Sequence, residues 1–93
     1  MYIGVVQLEL TIPWAMSLKD KRRSVKGLKE KIRSRFNVAV AEVGDNELWR
    51  SAVLGVAAVS NDARHIQSIC QNVVNFVEEF SGANLEDYVI EII

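Results

Sequence analysis

The 93-residue sequence has one cysteine, one proline and one histidine, and each scarcity closes a class of explanation. A single thiol, Cys70, cannot form an internal disulfide, so the fold must rest on a packed core. A lone histidine, His65, with no second histidine and one cysteine makes no recognisable zinc set. No apolar run approaches the ~20 residues that cross a bilayer, and the first residues lack the basic-then-apolar pattern of an export signal. The expectation is a cytoplasmic protein without membrane contact. Glycine-rich phosphate loops and nucleophile motifs are missing as well. Glu9, Glu42, Asp45 and Glu47 lack the spacing of a calcium loop. No residue reads as catalytic, and neither a metal nor a cofactor is expected.

What is present is ample apolar material, 49% of residues, with 25% charged, which excludes a disordered chain. The length suits one core, so residues 1–93 read as a single domain. From Ile3 to Ile12, Val6, Leu8, Leu10 and Ile12 alternate with Gln7, Glu9 and Thr11, the period of a strand with one buried face. Pro13 ends it. Ser17, with Asp20 three residues on, resembles a capping box and opens a helix. Leu18, Val25, Leu28, Ile32 and Phe36 form its stripe, and the spacing predicts an end at Asn37. Gly27 is a mild objection inside it.

Val38 to Val43 reads as a short strand, Gly44-Asp45-Asn46 as a turn, and Leu48 to Val59 as a longer strand that is apolar on both faces. Ser60-Asn61-Asp62 caps a second amphipathic helix carrying Ile66, Ile69, Cys70, Val73, Phe76, Val77 and Phe80, with Gly82 as its C-terminal cap. Tyr88 to Ile93 supplies a last strand. The order βαββαβ with right-handed crossovers predicts an α+β ferredoxin-like sandwich: a four-stranded antiparallel sheet, order 4-1-3-2, with both helices on one face.

Charge is sorted along the chain. The overall net charge of −1 hides nine of eleven cations between Lys19 and Arg35, opposed there only by Asp20 and Glu30, a local net of +7. On a helical wheel Lys19, Arg22, Arg23, Lys26, Lys29 and Arg33 form a continuous solvent face, while Lys21 falls near the apolar stripe, where its stem can snorkel past the sheet edge. These seven are the candidate nucleic-acid contacts, suited to the phosphates of a structured RNA. The bland alternative is a solvated face that keeps the protein soluble. Base stacking in the manner of an RRM is excluded, because Gly55, Ala57 and Val59 of the central strand have no rings.

The open sheet face, with Ala39, Ala41, Val43, Val53, Gly55, Ala57 and Val59, is weakly polar and reads as an interface, such as a homo-oligomer built face to face. Trp14 and Trp49 border the strands. Core packing is expected of both, with an exposed contact as the alternative for Trp14. Cys70 on the buried stripe reads as an inert core residue.

The segments Ser17-Leu18-Lys19-Asp20-Lys21-Arg22-Arg23, Arg35-Phe36-Asn37-Val38, Ala41-Glu42-Val43-Gly44-Asp45, Gly55-Val56-Ala57 and Val59-Ser60-Asn61-Asp62, in this order, resemble the YlxP-like family of small bacterial proteins, a domain of unknown function. The resemblance spans nearly the whole chain. It implies a ferredoxin-like fold and carries over no catalytic residue. Genes of such proteins sit beside those for translation initiation and ribosome maturation, which implies RNA or a ribosomal subunit as partner. The leading expectation is thus a non-catalytic RNA- or ribosome-associated module, and the alternative a homo-oligomeric assembly module. A small-ligand enzyme would need a pocket with convergent polar groups.

Overall fold

A computed structural model describes all residues, Met1–Ile93. The elements run β1 (Tyr2–Thr11), α1 (Leu18–Arg35), β2 (Ala39–Gly44), β3 (Ser51–Ser60), α2 (Ala63–Glu78) and β4 (Asn84–Ile92). The strands form one antiparallel sheet in the order β2-β3-β1-β4, the ferredoxin-like arrangement expected from the pattern, read here from the opposite edge. The alternation of β1 and β3 sends Val6, Leu8, Leu10, Ala52, Leu54 and Val56 to one buried face. Val25, Leu28 and Ile32 of α1 and Ile66, Cys70, Val73, Val74 and Val77 of α2 close on it. α1 lies over β2, and α2 covers β1 and β4.

Both helix starts follow their sequence. Ser17 Oγ accepts from the Asp20 N–H at 3.1 Å, and Asp20 Oδ2 accepts from the Met16 N–H at 3.0 Å, so the reciprocal bond reaches one residue before the cap. Asp62 Oδ1 accepts from the N–H groups of Arg64 and His65. The helix ends differ from expectation. α1 stops at Arg35, its cap Phe36 is extended, and Asn37 is not left-handed. The Phe36 ring meets Phe76 of α2 edge-on at 5.8 Å. α2 stops at Glu78 with Glu79 as cap, and Gly82 has no positive φ. Gly82 is needed for close approach instead, since a Cβ there would collide with the Phe80 ring.

The buried polar element is Lys21. It occupies the α1 stripe with Val25, Leu28 and Ile32 and is 0% exposed. Its Nζ donates to Glu42 Oε2 at 2.9 Å and to the carbonyls of Asp45 (2.8 Å), Asn46 (3.1 Å) and Ser51 (3.3 Å). Register explains the meeting. Glu42 pairs with Leu54 and so faces the helices, and the β2–β3 register slips between Glu42 and Gly44. Asp45, at φ 60°, then turns the chain. Lys21 thus gathers two carbonyls of this turn and that of Ser51, the first residue of β3, and Leu48 and Trp49 lie in the loop rather than in the strand as expected.

Lys21→Met leaves Glu42 and three carbonyls without their donor. It is expected to lower unfolding free energy by about 3 kcal/mol, as for other broken buried pairs. Lys21→Met/Glu42→Gln should recover only part of this in denaturant titration, because the Asn46 and Ser51 carbonyls still lack the ammonium, while Asp45 keeps the Leu48 N–H at 3.0 Å; full recovery would show that the ion pair alone matters. Two glycines should shift stability oppositely. At Gly4 a Cβ would stand 2.6 Å from Cys70 Sγ, so Gly4→Ala is expected to destabilise by about 1–3 kcal/mol. At Gly27 nothing lies within 4 Å of a new Cβ, so Gly27→Ala should stabilise by about 0.5–1 kcal/mol, read as a higher midpoint in the same titration.

Candidate nucleic-acid interface

The apolar stripe of α1 is pinned to the sheet, so its opposite side is fixed outward. Lys19, Arg22, Arg23, Lys26 and Arg33 are exposed, and Lys29 is half-buried. These six sequence-selected residues share one side of the helix. Lys21 does not join them: its ammonium is enclosed and fully occupied, which removes it from any phosphate-contacting set. The reading of a snorkelling stem is thereby corrected. The charged head finds its partners within the fold, under the β2–β3 turn.

Lys21–Glu42 is the only ion pair in the chain. The remaining cations of α1 therefore have no carboxylate within 4 Å. Arg33 Nη2 donates to the Val40 carbonyl at 2.8 Å, which steadies the guanidinium and leaves its other N–H groups free. Lys31 and Arg35 lie over the Phe80 and Phe76 rings at 5.2 and 5.3 Å. Cation–π contact thus draws these two towards α2 and away from the outer face. What stands free on that face is a row of long cationic side chains with one carboxylate, Glu30, among them, on one rigid scaffold with the chemistry to neutralise neighbouring phosphates.

The other sequence candidates find plain positions. Cys70 is buried, and desolvation raises its thiol pKa, so the reactive thiolate is disfavoured. His65 is exposed on the first turn of α2. No three His, Cys, Asp or Glu side chains gather as a metal-binding group. The open sheet face carries Ala39, Ala41, Val43, Val53, Gly55, Ala57 and Val59 as expected, and Val5 joins them from β1.

The two tryptophans depart from the expectation of core packing. Trp14 is 48% and Trp49 53% exposed. Ile12, Ala15 and the stem of Lys21, each 0% exposed, occupy this end of the core and leave no space for an indole. The signal for Lys21 was present in the sequence: it stands four, seven and eleven residues before Val25, Leu28 and Ile32.

A family model described as "Protein of unknown function (DUF503)" matches residues 3–90. "Uncharacterized protein YlxP" of Bacillus subtilis (strain 168) is 33% identical over 78 residues, covering 84% of this chain and 85% of that protein. Among solved structures, the de novo designed protein Foldit4 is similar with a TM-score of 0.55 at 11% identity, over 100% of this chain and 97% of that one. Another designed protein, LFR1 1, described as having a ferredoxin fold, covers 100% of this chain and 84% of its own with a TM-score of 0.48 at 12% identity. The likeness to Foldit4 speaks of fold alone.

Proposed function

We propose that this chain, which belongs to the DUF503 family, is a non-catalytic module that binds structured RNA, such as that of a ribosomal subunit, with the outer face of α1. The supporting observation is the set of cations on that face, Lys19, Arg22, Arg23, Lys26, Lys29 and Arg33, without a carboxylate partner. A folded chain with twelve carboxylates and eleven cations has enough acid to pair them, yet its one ion pair lies inside. Unpaired like charges on one helix repel each other and are relieved by an external polyanion. Phosphate contact also releases counterions, so affinity falls steeply with salt. A cytoplasmic location accompanies this reading, and no helix is long and apolar enough to cross a membrane.

Binding to ribosomal subunits and to a structured RNA hairpin across a salt titration tests it. With about four phosphates neutralised, log affinity should fall against log salt with a slope of about −3 to −4. Arg22→Glu/Lys26→Glu/Arg33→Glu, folded by circular dichroism, should bind at least about 100-fold more weakly at low salt. Absence of binding by the unaltered protein at low salt would refute the reading.

A second reading has its own observation. The open sheet face holds a shallow depression of about 320 Å³, lined almost entirely by apolar groups of Val5, Ala39, Ala41, Val43, Gly55 and Ala57. A second copy of this chain packed face to face would cover it. Sedimentation velocity should then show a dimer that Val59→Asp dissociates, and a monomer at the highest soluble concentration would remove this reading.

A further inference from the structure

The end of the molecule that carries Trp14 and Trp49 plays no part in the phosphate-binding face, yet it is the most exposed aromatic surface of the chain. Trp14 stands in the β1–α1 loop and Trp49 in the β2–β3 turn. Hydrogen bonds set these loops side by side: the Ile12 N–H donates to the Arg50 carbonyl at 2.8 Å, and Arg50 Nε donates to the Ala15 carbonyl at 3.1 Å. Lys21 ties the same turn to the first turns of α1 through the Asp45, Asn46 and Ser51 carbonyls. The two indoles are thus half-exposed on a braced platform. They are not stacked on each other, the Phe36–Phe76 contact being the only ring pair in the fold.

Two features name the partner. An exposed indole face accepts any base by stacking, and such stacks carry much of single-strand binding. Beside the platform, Lys19, Arg22 and Arg23 at the start of α1 lack carboxylate partners, as a polyanion requires. Asp45 and Glu47, the carboxylates of the tryptophan-bearing turn, repel phosphate. The backbone of a bound strand must therefore run on the α1 side, with its bases turned towards the tryptophans.

We propose that Trp14 and Trp49 stack unpaired bases of an RNA whose phosphates lie along α1, so that the module recognises a junction between paired and unpaired RNA. This rests on the RNA reading above and adds to it a preference for unpaired nucleotides. Stacking takes place at the end of the sheet, on loops, and needs no ring on the central strands.

Because the chain has only two tryptophans, emission excited at the red edge, where its two tyrosines do not absorb, reports this platform alone. The experiment titrates the protein with an oligouridylate of about 12 nucleotides and, separately, with a blunt RNA duplex of the same length, following fluorescence and anisotropy. The oligouridylate should quench the emission. Trp14→Ala and Trp49→Ala should each weaken its binding about tenfold. Trp14→Phe and Trp49→Phe, which keep a ring, should retain most of the affinity, and duplex affinity should stay within about twofold throughout.

Oligouridylate binding with unchanged emission and undiminished affinity in the alanine variants overturns the stacking proposal and leaves the helix reading intact. Binding of neither RNA at low salt overturns both. A blue shift of the emission on phosphatidylglycerol vesicles, without quenching by RNA, assigns the platform to a lipid surface and also overturns the proposal.

Discussion

The structure turns on a lysine placed where the helix pattern calls for an apolar residue. Moving an ammonium out of water is expensive by several kcal/mol, and only close partners offset it. Lys21 finds a carboxylate and three main-chain carbonyls within 3.3 Å. Those partners come from β2, the following turn and the first residue of β3, so one side chain sets where the hairpin turns and how it sits against α1. An apolar residue would fill the same volume but would take the ammonium from the Asn46 and Ser51 carbonyls and leave Asp45 with the Leu48 N–H alone. The interaction therefore acts chiefly as a geometric constraint: it selects one arrangement of the loop among the many that a six-residue connection from Asp45 to Arg50 allows.

The same constraint shapes the outer surface. Glu42 faces inward to meet Lys21 and so is lost as a partner for the cations outside. Asp20 is taken by the Met16 N–H, and Lys31 and Arg35 rest on phenylalanine rings. What remains on α1 is a positive face whose exposed carboxylate, Glu30, holds no cation within 4 Å, on a chain that carries ten of its twelve carboxylates outside that helix. The near-neutral net charge conceals a strong dipole. A polyanion approaching the α1 side meets attraction while the opposite side repels it, which orients an encounter before contact.

The sheet and the two helices were legible because their periods are clean: the alternation in β1 and β3, and the three-and-four spacing in α1 and α2, leave one buried face each. The exposed apolar row on the open face followed from the same alternation. The positions that misled were those where a side chain acts against its class. Lys21 fell near the stripe by its spacing to Val25, Leu28 and Ile32, but its head read as reaching past the sheet edge, because its partners come from a turn more than twenty residues away. The tryptophans looked like core because large rings usually are, and nothing local revealed that Ile12, Ala15 and Lys21 had already filled that end. Gly82 looked like a helix cap but makes room for the Phe80 ring, a tertiary contact outside the reach of local pattern.

Arg33 has a second bearing, on how the sheet meets its own kind. β2 is an outer strand of six residues, and its main chain would ordinarily invite another strand to pair along it. The guanidinium bonded to the Val40 carbonyl sets a fixed positive charge against that main chain, and the register slip before Gly44 bends the strand away from a straight template. Charged side chains and bulges at an outer strand discourage edge-to-edge addition. The helix thus guards the sheet's vulnerable margin against fibril-like stacking, with a residue that also belongs to its cationic face.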